Sequence, residues 1–122
     1  MSIAINKLRA EKLLTFNEGV EYKARMSLDT IIRIEQTMNV SILKIGNLLA
    51  GADISVTQMV QIITLAIRAG GNDVKEKDIK KLIADIGLLE AIKMTGELIS
   101  LALNVDDDSE SDDEKKSEEV TS

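Results

Sequence analysis

The residues of this chain that could carry out chemistry are almost all carboxylates. The 122-residue sequence contains no Cys and no His, which removes thiolate nucleophiles and the usual ligands of zinc, copper and haem. A general acid or base would have to be a carboxylate, a Lys or the single Tyr. Because no two carboxylates are placed at a spacing that a catalytic pair requires, we expect a protein that is not an enzyme.

Two groups of carboxylates have the oxygen ligands that metal ions prefer. Asp106–Asp108 and Asp112–Asp113 could bind Ca²⁺ or Mg²⁺, but they lack the loop Gly and the spaced ligands of an EF-hand. Glu35, Glu90 and Glu97 fall in predicted helices, but the Glu-x-x-His motif of di-iron bundles cannot form without His. The sequence therefore predicts neither a metal site nor a cofactor.

The negative charge is concentrated at the C-terminus. The chain carries −6 at pH 7, and Val105–Ser122 contains nine acidic residues and two Lys, which leaves residues 1–104 at about +1. The acidic segment has too little apolar surface to offset its ordering entropy. We therefore predict one domain over residues 1–104 and a disordered acidic tail over residues 105–122.

The same composition bears on partners and location. A nearly neutral body without aromatic stacking platforms argues against nucleic-acid binding. No apolar run approaches 18 residues and the start of the chain lacks the apolar core of a signal peptide, so we expect no membrane association and a cytoplasmic location.

Residues 10–26 show the alternation of apolar and polar side chains that is typical of half-buried strands. The segment Asn17–Gly19 fits a short hairpin loop in which Gly19 supplies a positive φ. We expect the apolar face of this hairpin to pack on the rest of the domain, because an isolated hairpin is marginal in water. The register that suits both faces pairs Phe16 with Val20, Leu14 with Tyr22, and Glu11 with Arg25.

From Ser27 onward the apolar spacing becomes helical, and it predicts five short helices. The first has Leu28, Ile31 and Ile32 on one side, with Ile34 and Met38 extending the apolar surface round from Ile31, and it ends at Asn39. The third opens with a capping box at Ser55 and is so apolar that we place it at the centre of the domain. The remaining predicted boundaries are Ile42 to Ala50 for the second helix, Gly87 as the end of the fourth, and Leu88 to Leu103 for the fifth.

The fifth helix has two apolar edges separated by a thin polar stripe. A domain of about 100 residues has difficulty surrounding two helices completely, so one edge could face a partner or a second copy of the chain. The candidate partner-binding residues are Leu88, Ile92, Leu98 and Ile99. The exposed edge of the hairpin is a second candidate, because unpaired strand edges recruit other strands.

The order of these elements resembles a known family. A hairpin with a Tyr-containing strand precedes the segment Leu28–Ile42 (LDTIIRIEQTMNVSI), and a later helix ends in Leu65–Gly71 (LAIRAGG). With the Gly87-Leu88 junction, this pattern is similar to the gene-transfer-agent type of phage tail assembly chaperone, over roughly residues 8–104. Neither segment is a catalytic signature.

The resemblance implies a non-enzymatic role in the host cytoplasm. Tail assembly chaperones bind the tape measure protein and tail tube subunits and are missing from the mature particle. Two alternatives remain open on the residues alone. One is a regulatory adaptor whose acidic tail engages a basic partner, and the other is a minor structural tail protein.

Overall fold

The computed structural model describes residues 10–104 and shows a small helical domain with an N-terminal β-hairpin, as predicted. Val105–Ser122, for which an acidic tail is predicted, lies outside the described residues. The hairpin strands are β1 (Glu11–Thr15) and β2 (Glu21–Arg25), joined by a 3₁₀ turn (Asn17–Gly19). The helices are α1 (Leu28–Met38), α2 (Ile42–Ala50), α3 (Val56–Ala69), α4 (Glu76–Ile86) and α5 (Leu88–Leu103).

The hairpin has the predicted register. Leu14 faces Tyr22 and Glu11 faces Arg25 in an antiparallel pair, and the Phe16 amide donates to the Val20 carbonyl over 2.7 Å. The buried face carries Leu14, Phe16, Ala24 and Met26. This face packs on α3, which supplies the support that a two-stranded sheet needs.

The helix ends follow the local sequence closely. Ser27, Ser41 and Ser55 each cap a helix by accepting a hydrogen bond from the backbone amide three residues later. Ser55 and Gln58 form the complete predicted capping box. Asn39 ends α1 in the left-handed conformation, with φ of 58°, which a short polar side chain tolerates.

The core is organised around α3, as its apolar composition predicts. This helix contacts β2, α1, α4 and α5. It buries seven of its residues, six apolar ones and one Thr: Met59, Val60, Ile62, Ile63, Thr64, Ala66 and Ile67. The other helices therefore pack around α3 rather than in a row.

Only part of the predicted apolar surface of α1 is packed. Ile31 and Ile34 enter the core, whereas Leu28 and Ile32 are exposed. The spacing i, i+3, i+4 allows two apolar faces on this helix, and periodicity alone does not decide which one packs. The contact with α3 selects the face that bears Ile31 and Ile34.

Candidate partner-binding surface

The two edges of the small sheet differ in how far neighbouring elements cover them. On the outer edge of β2, the Lys23 carbonyl accepts a hydrogen bond from the Asn72 side-chain amide at 2.9 Å. The backbone of Gly70 lies against the same carbonyl, so closely that a β-carbon there would overlap it. The C-terminal end of α3 and the loop that follows thus cover this edge.

The outer edge of β1 is open within the described part of the chain. The Ala10 carbonyl and the Phe16 amide each hydrogen bond to the β2 side of the hairpin, both at 2.7 Å. Backbone groups of alternate residues in an antiparallel pair point in opposite directions. The amides and carbonyls of Glu11, Leu13 and Thr15 therefore point away from β2, and the two-stranded sheet provides them with no third strand.

A groove of about 230 Å³ separates β1 from the first half of α5. Lys12 on one wall and Glu97 on the other form a salt bridge with an N···O distance of 3.7 Å. On α5 itself, Lys93 and Glu90 form a second one, also at 3.7 Å. Because all four side chains are at least one-third exposed, these pairs contribute little stability and can rearrange around a partner.

Large apolar side chains are exposed on β1 and at the start of α5, the two elements that line this groove. Leu13, which lines it, is 56% exposed, and Leu88 and Leu89 at the start of α5 are 52% and 82% exposed. Leu89 lies one helical turn before Lys93, another lining residue, and so borders the groove. The open edge of β1, the groove, Leu13 and Leu89 together form what we call the β1–α5 surface.

The structure separates the four predicted partner-binding residues into two groups. Leu88 is exposed and Ile92 is half-buried, so both are accessible to a partner. Leu98 and Ile99 are 0% and 2% exposed and belong to the core. The polar stripe of α5 is too thin to reveal which apolar edge packs inward, and contacts with α2, α3 and α4 decide it.

Leu13 is a surface residue that the sequence interpretation did not single out. In the sequence, Leu13 is an apolar residue on the otherwise polar face of a strand, between Lys12 and Leu14.

Among residues 10–104, no cluster of acidic side chains is suited to hold a metal ion. None of the helices in that range has the length and hydropathy of a membrane span.

The segments that carried the sequence resemblance have structural roles. The Glu35 carboxylate accepts a hydrogen bond from the Ile42 amide at 2.9 Å, so α1 caps the first turn of α2. Gly70, at the end of the LAIRAGG segment, allows the close approach to Lys23 described above. These residues stabilise the domain and do not belong to the β1–α5 surface.

The chain was compared with known protein families, curated proteins and solved structures. A family model described as phage tail tube protein, GTA-gp10, matches residues 9–105. That range includes every described strand and helix. No curated protein and no solved structure is similar enough to the chain to count as a match.

Proposed function

The chain belongs to the family of the phage tail tube protein, GTA-gp10, and from this premise we propose that it is a non-enzymatic tail assembly chaperone. Its proposed partners are the tape measure protein and tail tube subunits. It acts in the cytoplasm of the bacterial host and is absent from the mature particle. What the family establishes is the broader statement that this is a phage-tail-related protein.

The observation that carries the proposal is the β1–α5 surface. An open strand edge can accept a strand from another protein through backbone hydrogen bonds. The exposed Leu13 and Leu89 can bind the apolar face of an amphipathic helix. Unpaired strand edges and exposed apolar surfaces are also what makes an incompletely assembled protein prone to aggregate.

Charge also supports a transient role. Val105–Ser122 carries about −7, and many copies packed into one particle would bring these charges together. Like charges that are held close destabilise a permanent assembly, whereas they help a dispersed protein to stay dissolved.

A minor structural tail protein is the second candidate function, and the description of the matching family favours it. The two candidates differ in where the protein ends up. Quantitative mass spectrometry of purified tails should find the tape measure protein and the tube subunit but not this chain. Recovery of this chain in fixed proportion to the tube subunit would overturn the chaperone proposal.

Binding should depend on the β1–α5 surface. We expect the variant L13D/L89D to weaken binding to the co-expressed partner by tenfold or more, roughly the effect of losing one or two anchoring side chains. Leu43 on α2 is 66% exposed and does not line the groove, so L43D is the matched control and should bind normally. Equal loss of affinity in both variants would argue against this surface.

A further inference from the structure

A second cavity, of about 420 Å³, lies where β2 leads into α1 and where α3 ends. It is separate from the β1–α5 groove and shares none of its lining residues. Its polar lining is dominated by three arginines from three elements: Arg25 of β2, Arg33 of α1 and Arg68 of α3. We call this cavity the arginine pocket.

The arginine pocket is cationic. Asp29 is the one carboxylate in its lining, so the side chains around it carry a net +2. The salt bridges between described residues are Lys12–Glu97 and Lys93–Glu90, and neither involves an arginine. Even Glu11, which faces Arg25 across the hairpin, does not approach it within salt-bridge distance.

Arg25 has a buried donor for which residues 10–104 provide no acceptor. Its Nε is inaccessible to solvent and makes no hydrogen bond within the described chain. Buried donors in folded proteins are almost always paired, and an unpaired one destabilises the fold. The Arg25 guanidinium also lines the pocket, and guanidinium groups make their strongest hydrogen bonds to anionic oxygens.

The other donors around the pocket are held in place. The Arg68 Nε donates to the Val74 carbonyl at 2.8 Å. This bond holds the guanidinium in place, and the two terminal amino groups of Arg68 take no part in it. Ser27 caps α1 through the Thr30 amide at 3.3 Å, so the positive end of the helix dipole lies at the same place. The geometry therefore favours an anion with several oxygens.

We propose that the arginine pocket binds carboxylates of the acidic segment Val105–Ser122 of the same chain. This segment offers nine carboxylates and begins directly after Asn104, the exposed residue that follows α5. Its 18 residues can span up to about 60 Å, whereas a body of this size has a radius of gyration of about 12 Å. Tethering raises the local concentration to the millimolar range.

The absence of Cys from the sequence provides a clean test on the full chain. A nitroxide attached to S117C is the only thiol label, and it broadens NMR signals of nearby backbone amides. We expect the amides of Ser27, Thr30, Arg68 and Ala69 to lose most of their intensity. The effect should vanish near 1 M NaCl, where the Debye length falls to about 3 Å.

Matched variants identify the pocket as the cause. R25Q/R33Q should abolish the broadening, whereas K80Q/K81Q removes the same charge from the exposed residues of α4 and should leave it intact. If R25Q is poorly folded, R33Q alone should reduce the broadening, because Arg33 is exposed. Broadening that is absent from the pocket, or equal in both double variants, would overturn the proposal.

Two further experiments distinguish binding of the segment to its own chain from binding to a second copy and from binding of another anion. Spin-labelled chain mixed with isotope-labelled chain should give no broadening, and if it does, the segment binds a second copy rather than its own body. Inorganic phosphate should compete with the segment and reverse the broadening. Phosphate-induced shifts at the pocket without any broadening by the label would mean an anion site for another ligand and would overturn the assignment.

Discussion

Gly70 at the end of α3 lies directly against the carbonyl of Lys23 in β2, in the space that a β-carbon would occupy. This contact seals one edge of the sheet and fixes the hairpin on the central helix. We expect G70A to lower the free energy of unfolding by at least about 2 kcal/mol, because backbone must shift to relieve the overlap. Urea denaturation followed by circular dichroism measures the change.

The control for that variant lies in α5. Gly96 is inside the helix, and a β-carbon there meets nothing within 4 Å. G96A should therefore raise the free energy of unfolding by about 0.5–1 kcal/mol, the usual gain from removing a helical Gly. A similar small effect from both substitutions would show that the contact with Lys23 does not constrain the fold.

The buried hydroxyl of Thr64, in the middle of α3, is expected to lower the stability of the domain. Its hydroxyl is buried and has no hydrogen-bond partner among the described residues, so it adds a desolvation cost without a compensating bond. T64V keeps the shape and removes the hydroxyl, and it should stabilise the domain by about 1 kcal/mol. A thermal melt of the two proteins side by side checks this.

Thr95 in α5 is the control for Thr64, because its buried hydroxyl does form a hydrogen bond. Its hydroxyl donates to the Ala91 carbonyl at 2.8 Å. T95V loses that bond and should destabilise by about 0.5–1 kcal/mol. Stabilisation by both Val substitutions would indicate that burial of the methyl group, rather than the state of the hydroxyl, decides the outcome.

Glu35 should contribute to stability through its bond to the Ile42 amide. E35A leaves an amide of the first turn of α2 without its acceptor, and the expected loss is about 1 kcal/mol. Glu21 on β2 is exposed, and it forms no salt bridge with another described residue, so E21A should change stability by less than about 0.5 kcal/mol. Chemical denaturation that ranks the two variants equally would contradict the capping role.

Because Leu98 is buried, a substitution there cannot test whether α5 binds a partner, and an exposed residue of α5 is needed. Because Leu98 is fully buried, L98D should unfold the domain and abolish partner binding together. L89D alters a side chain that is 82% exposed, so the domain should remain folded while binding weakens. Circular dichroism combined with a binding assay separates the two effects, and an unfolded L89D would place Leu89 in the core.

The elements of this fold could be predicted from sequence, since they depend on local chemistry. The hairpin register follows from alternation on both faces, and Ser55 with Gln58 specifies a capping box. The choice between two apolar faces of α1 or α5 depends on contacts between distant elements. Periodicity shows that Leu28 and Leu98 are apolar helix positions, but only tertiary packing makes the first exposed and the second buried.

The candidate site was harder to predict for the same reason. The open edge of β1 exists because α3 covers β2 and not β1, which is a property of topology. The arginine pocket joins residues from three elements that are more than 40 positions apart at its extremes. No spacing in the sequence shows that Arg25 and Arg68 line one cavity.

The junction between α4 and α5 affects the cost of binding. Gly87 alone separates the two helices, with φ of 91° and ψ of 156°, a conformation that is essentially restricted to Gly. Leu88 and Leu89 follow at once and so start a regular helix rather than ending a flexible loop. Their backbone is pre-organised, so this chain loses little conformational entropy when a partner docks there, and weak apolar contacts can suffice for reversible binding.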